Sequence, residues 1–305
     1  MTALILLTLL VGGGLAYLRW AAHWIANGAA IGWFIAGAPI AYFAPALALV
    51  TVWFTLAWIW RTPRPLGARL GPRGSVRLFV GEVAAVAASW PLMALHRLLI
   101  RDPAPTAAAL PIVLIHGVLV NDGVWLTFKR YFASHDIGPV YTVNYGPPLG
   151  DIESFARQLA AKIDAVRAAT GAGRVALIGH SMGGLVARAY LRQFGSDRVA
   201  RLVTIGTPHH GSMLAWTFPG RCLAQMHPGD PWLAELNRRE GAPLSTPVTA
   251  IWSRHDSMVA PQSSCTLACA ENIALLGIGH NALLRDQGVV ETVAREIAKA
   301  RQSTD

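Results

Sequence analysis

Three short stretches carry residues that do chemistry together: Gly179-His180-Ser181-Met182-Gly183, Ser253-Arg254-His255-Asp256 and Gly279-His280. A serine hydroxyl is a poor nucleophile at neutral pH until a neighbouring base takes its proton, and an imidazole steadied by a carboxylate is such a base. The first stretch reads G-x-S-x-G, lying directly after an apolar run and directly before an amphipathic one. Small residues at 179 and 183 let the chain turn sharply from strand to helix. That turn pushes Ser181 Oγ into the open at a helix N-terminus, whose dipole favours negative charge developing nearby. With the acid and then the base following the nucleophile along the chain, Asp256 and His280 complete the set. His255 competes with His280 but precedes the carboxylate and follows no strand of its own. Asp230 and Asp286 compete with Asp256, and Asp286 falls after the histidine.

Acyl chemistry at such a serine develops an oxyanion that needs two backbone N–H donors. Met182, immediately after the nucleophile, supplies one. Val118 supplies the other, from the His116-Gly117 turn after the first strand of this region. His116 itself reads as a loop histidine bonded to backbone. Met213, Leu214, Trp216 and Phe218 are candidates for lining an acyl pocket, as are Met226 and Trp232, each against the plain alternative of ordinary packing.

These residues need a rigid frame. From Pro111 onward, short aliphatic and β-branched runs alternate with helical stretches, and strands are predicted at 112–115, 140–144, 175–179, 202–206, 248–252 and 273–276. Ile152, Phe155, Leu159, Ile163 and Val166 recur at three-to-four spacing and predict a helix over 152–169. Alternating strands and helices imply an α/β fold, a mostly parallel sheet with helices on both faces, which binds ligands at the carboxyl ends of its strands.

The first third of the chain is different. Residues 1–60 hold a single charged side chain, Arg19, and residues 61–101 then carry seven arginines against one acid, Glu82. With 53% apolar and 14% charged residues overall, the chain is too hydrophobic for disorder and too poor in charge for a wholly soluble protein. Residues 3–18 make a short first membrane span, with a cleaved signal peptide as the alternative, and 29–60 a long second one with Trp20, Trp24, Trp58 and Trp60 as interfacial anchors. Pro39 and Pro45 are tolerable in lipid. Residues 78–100 fit a third span, an interfacial helix, or a helix packed on the catalytic domain. The expected division is a transmembrane region at 1–60, a basic juxtamembrane linker at 61–107 and a catalytic domain at 108–305.

The first 101 residues hold +7 of the formal +9, so the basic character belongs to a flank beside an apolar block. That placement suits anionic headgroups at the inner membrane and excludes a nucleic-acid protein, whose bases spread over a folded face. The arginines at 61–77 place their loop in the cytoplasm, while the side taken by the catalytic domain turns on whether 78–100 crosses. Cys222, Cys265 and Cys269 have no spacing to histidine that would hold zinc, and no acidic set is spaced for calcium. A Cys222 bridge to Cys265 or Cys269 and three reduced thiols fit equally well.

In this order, Ile115-His116-Gly117, the Gly179 to Gly184 turn, Thr204-Ile-Gly-Thr-Pro-His-His-Gly-Ser212, Ser253 to Asp256 and Gly279-His280 resemble the α/β-hydrolase superfamily, and within it bacterial triacylglycerol lipases and esterases. The resemblance spans about residues 108–300. It implies Ser181, Asp256 and His280 as a catalytic triad, Val118 and Met182 as oxyanion donors, no cofactor, and a membrane-anchored hydrolase of acyl lipids or other apolar esters working beside the bilayer. Residues 213–247, where secreted lipases often carry a long helical lid, are short and rich in Pro and Gly. Transfer of the acyl group to an acceptor other than water is the alternative, and a non-catalytic binding protein the less favoured one.

Overall fold

The computed structural model describes residues 2–238 and 246–302. Six strands form one sheet: β1 Ile112–Ile115, β2 Val140–Val143, β3 Val175–His180, β4 Val199–Ile205, β5 Val248–Ser253 and β6 Glu271–Leu275. Every neighbouring pair is parallel, in the order β2-β1-β3-β4-β5-β6. All residues of β1 to β5 are buried, as a parallel sheet covered on both faces requires, and only the edge strand β6 is largely open. β4 starts three residues before the predicted Leu202. Its polar Arg201 interrupts the apolar run, yet it is buried because Glu296 and Thr249 accept its hydrogen bonds.

The helices are α1 Thr2–Ala26, α2 Ile31–Ile59, α3 Pro72–Ala94, α4 His96–Leu99, α5 Leu126–Ser134, α6 Ile152–Thr170, α7 Met182–Phe194, α8 Arg221–Ala224, α9 Pro231–Asn237 and α10 Gln287–Gln302. α6 starts where the Asp151 carboxylate accepts from Ser154 N at 3.1 Å and stops where Gly171 turns left-handed at φ 71°. Its predicted stripe is buried with α7 on one face of the sheet. α5 and α10 cover the other face, around Trp125, Phe128, Phe132, Val293 and Ile297. Among the described residues, 213–238 form only short helical pieces, and 239–245 of the expected lid region lie outside them. The three cysteines are unbridged; burial pushes the Cys222 thiol up to about 11.

α1 and α2 form an antiparallel hairpin in which Tyr17 Oη donates to Phe34 O at 2.7 Å and the Trp20 ring stands edge-on to Phe34. Outward-facing Leu9, Leu15, Trp33, Ile35 and Ile40 are each more than 60% exposed, an apolar surface that a soluble monomer rarely carries. Three helices, α1 to α3, are long and apolar enough to cross a membrane.

The predicted helix over 78–100 begins instead at Pro72, a favourable first position, and breaks at Leu95. One side of it packs against the C-terminal domain. Asn121 Nδ2 donates to Met93 O at 2.9 Å, and His96 Nδ1 lies 2.6 Å from Asp122 Oδ1. α3 also packs on α2, where Ala46 and Val50 meet Val86 and Ala87 and Tyr42 Oη donates to Ala87 O. The arginine-rich linker is tied down too. Thr62 N donates to Gln262 Oε1 at 3.0 Å, Ser263 N to Thr62 Oγ1 at 2.9 Å, and Arg64 Nε to Arg254 O at 2.9 Å.

Phe128 is fully buried between the sheet and α10. Phe128→Ala should cost about 3–5 kcal/mol of stability, read as a lowered denaturation midpoint in detergent solution.

Candidate active site

Ser181 stands between β3 and α7 with φ 55° and ψ −129°, a backbone region that a side chain rarely occupies and that costs on the order of 1–3 kcal/mol. The surroundings hold it there. Ser181 N donates to Ile205 O at 2.8 Å, and Ser181 O accepts from Gly184 N at 3.1 Å. Gly183 has no room for a side chain, because a Cβ would strike Ile115 O and His116 O at the end of β1. The sheet order reverses at β1, whose neighbours are β2 and β3, so the crevice where ligands settle in open α/β sheets lies between Gly117 and Ser181.

Two loops further along the sheet bring the predicted acid and base. After β5, Asp256 Oδ1 accepts from Met258 N and Val259 N, both at 2.8 Å, which fixes the carboxylate. After β6, His280 Nδ1 lies 2.8 Å from Asp256 Oδ2 and 3.0 Å from Oδ1. Because the carboxylate accepts, the proton is assigned to Nδ1, leaving the Nε2 lone pair available. Burial alone would make His280 harder to protonate. The Asp256 charge and hydrogen bond overcome that, with the Glu82 charge adding, and hold His280 above the usual imidazole value. Ser181 and His280 line one cavity; among the described residues no hydrogen bond links Ser181 Oγ to the ring. Such bonds are commonly long in ligand-free enzymes and tighten with substrate.

The competing residues have other partners. His255 Nδ1 accepts from Gly277 N at 3.1 Å, and burial lowers its pKa to about 4. Asp230 caps α9 through Trp232 N, and Asp286 caps α10 through Val289 N. His180, beside the serine, is kept neutral by burial and by the proximity of His280; its Nε2 lies 3.2 Å from His280 O.

Met182 opens α7, so its N–H has no partner within the helix. Val118 lines the cavity that holds Ser181. His116 stacks on Tyr145, with ring centroids 4.3 Å apart, and its Nδ1 lies 2.8 Å from Gly117 O, as a loop histidine bonded to backbone should. The cavity measures about 320 Å³. Of the four residues predicted to line it, Leu214 and Phe218 do so and Met213 and Trp216 do not; the Trp216 ring is exposed and stacks on His227 at 3.6 Å. Met226 also lines it, while Trp232 packs at the edge of the core below α7.

Sequence reasoning gave Glu82 no role. Its carboxylate, on α3, is completely buried against the histidine loop. Oε1 accepts from Ser257 Oγ at 2.7 Å and from Asn281 N and Asn281 Nδ2, both at 2.9 Å, while Oε2 accepts from Ala282 N at 3.0 Å. These donors flank Asp256 and His280. Glu82 is the only acid among the first 101 residues, and it shares a helix face with Val86, Ser89 and Met93, which line the cavity. That spacing was the available signal. Among the described residues, no group of three or more His, Cys, Asp or Glu side chains is arranged to hold a metal ion.

Residues 111–246 match the profile of the alpha/beta hydrolase fold family. The C-terminal domain has the α/β-hydrolase fold. Solved structures agree with that assignment. The mature form of lipase BlEst2 from Bacillus licheniformis is 17% identical, with TM-score 0.54 over 64% of this chain and 95% of that one. Lipase B from Aspergillus fumigatus is 22% identical, with TM-score 0.54 over 73% and 60%. In sequence, the chain is 53% identical over 58 residues to triacylglycerol lipases of Pseudarthrobacter phenanthrenivorans and Burkholderia plantarii, a match that covers 19% of this chain and 18% and 16% of theirs. The hydrolase domain therefore has distant lipase homologues, and the chain matches less than a fifth of the length of these two triacylglycerol lipases.

A general base must be neutral to accept a proton, so kcat/KM should rise with pH through a His280 pKa above the ordinary imidazole value. Glu82→Gln removes a charge that favours the imidazolium and turns an amide donor toward one of the backbone N–H groups. The acid limb should move to lower pH and kcat should fall, both read from a pH–rate profile.

Proposed function

We propose that the chain is a membrane-anchored serine hydrolase that cleaves carboxylic esters, of acyl lipids or similarly apolar molecules. One observation carries the reading. A serine held in a strained strand-to-helix turn and a histidine hydrogen-bonded to a buried carboxylate share one apolar cavity, in the chain order Ser181, Asp256, His280. In the proposed reaction, Ser181 Oγ attacks the ester carbonyl while His280 Nε2 takes its proton. The Val118 and Met182 amides hold the resulting oxyanion. The C–O bond to the alcohol breaks as His280 returns the proton to the departing oxygen, leaving an acyl-serine. Water, deprotonated by His280, then attacks that acyl-serine, releasing the acid and restoring the serine. Asp256 keeps the ring oriented and steadies its cationic form.

The same reading puts α1 and α2 across the membrane as a hairpin. The arginine-rich linker is hydrogen-bonded to Gln262, Ser263 and Arg254, so linker and hydrolase domain lie on one side. An excess of arginine marks the cytoplasmic side, which is where we place both.

A fluorophosphonate should label the wild-type chain on the peptide containing Ser181 and leave Ser181→Ala unlabelled. Hydrolysis of a chromogenic ester should fall by about 10⁴-fold or more in that variant; equal rates in the two proteins would overturn the reading. For the side of the membrane, a reporter active only in the cytoplasm should be active when fused after residue 305, and a periplasmic reporter silent.

A further inference from the structure

The cavity over Ser181 is closed on one side by the apolar N-terminal helices. Leu6 of α1, Leu49 and Trp53 of α2, and Val86, Trp90 and Met93 of α3 line it together with Ser181 and His280. The hydrolase domain contributes the nucleophile, the base and the floor; the helices contribute the opposite wall. α3 faces the cavity with one stripe, in which Glu82, fixed on the histidine loop, sets the depth at which Val86, Ser89 and Met93 stand above the serine.

Leu49 has a second property. It lines the cavity and is also 37% exposed, on a helix whose other sides carry exposed Leu47 and Val52. The helix that walls the cavity is thus the one that offers an apolar surface to its surroundings, and Leu119, 44% exposed, lines the same cavity. Phe218, 49% exposed, stands on the hydrolase side of the same cavity. A mouth edged by exposed apolar side chains suits a substrate already dissolved in hydrocarbon, because no methylene of it need pass through water. At about 320 Å³ the space lies near the lower end of the roughly 300–1,000 Å³ of small-molecule pockets, so it takes one acyl chain and the ester group while the rest of the molecule stays outside.

From this geometry we propose that the substrate is a bilayer-resident lipid, and that one of its acyl chains reaches Ser181 sideways from the membrane, along α2 and α3, rather than from water. The proposal rests on the reading of Ser181 as the ester-cleaving nucleophile and adds the substrate class and its route.

The test uses the full chain reconstituted in phosphatidylcholine vesicles, with a fluorogenic hexadecanoyl ester that remains in the bilayer and its water-soluble butanoyl homologue. At constant bulk concentration, hydrolysis of the hexadecanoyl ester should rise with its mole fraction in the membrane. Val86→Trp, which fills the wall of the cavity, should lower the hexadecanoyl-to-butanoyl ratio of kcat/KM about tenfold. Trp53→Ala, which widens it, should move the optimum toward longer chains. Fluorophosphonate labelling of Ser181 in each variant reports that the site is folded, and the second variant serves where the first fails to label. A rate that follows bulk concentration alone, or a chain-length profile unchanged in the labelled variants, would overturn the route while leaving ester cleavage intact. Loss of labelling and of cleavage of both esters in the wild type would instead remove the ester-hydrolase reading, and the route with it.

Discussion

A carboxylate with no exposed surface has to find donors for both oxygens inside the protein, because leaving either unmatched costs several kcal/mol. Glu82 finds four, and all of them come from the segments that carry Asp256 and His280. Neither side of this contact is complete alone. Without α3, the amides of Asn281 and Ala282 and the Ser257 hydroxyl lose their acceptor; without the histidine loop, the carboxylate would sit unpaired on an apolar helix. The seating of α3 follows, and so does the position of α2, which packs against it. The architecture of the N-terminal third is thus coupled to the geometry of the proposed base, His280.

The sheet supplies the rest. Ser181, Asp256, His280 and the Gly117 turn all lie just past the carboxyl ends of parallel strands, where register fixes them to within a residue. The strain at Ser181 is sustained by one hydrogen bond to β4, one from α7 and a glycine that lets α7 approach β1, so the proposed nucleophile is presented by rigid elements. The acid is fixed by two backbone donors and the base by the acid. Each group is oriented by the next, and the buried frame behind them leaves little freedom to lose on binding substrate.

Legibility in the sequence followed the range of the interactions. The strand-turn-helix around Ser181 and the alternation of strands and helices are set by neighbours in the chain, and they could be read with near-correct boundaries. β4 was read short because the burial of Arg201 depends on Glu296, far downstream and invisible to local hydrophobicity. The helix over 78–100 was found but its placement stayed open, since an apolar helix bearing one acid fits lipid, interface or protein equally until its partner is known. The wall of the cavity was missed for the same reason. The segment after β4 was expected to form it, and Leu214 and Phe218 do line the space, whereas Met213 and Trp216 do not and residues from three upstream helices do.

The boundary near residue 107 separates two kinds of sequence without separating two working units. A fragment excised there would retain nucleophile, acid and base on an intact sheet. It would also remove the Trp53, Val86 and Trp90 side of the cavity that Val118, Met226 and Met258 line, together with the four hydrogen bonds that Glu82 accepts, three of them from the histidine loop. Expression of residues 108–305 alone would therefore yield a scaffold holding the proposed reactive groups in a cleft that lacks one wall, and the apolar N-terminal helices, however dispensable they look in a hydropathy plot, are part of the candidate site.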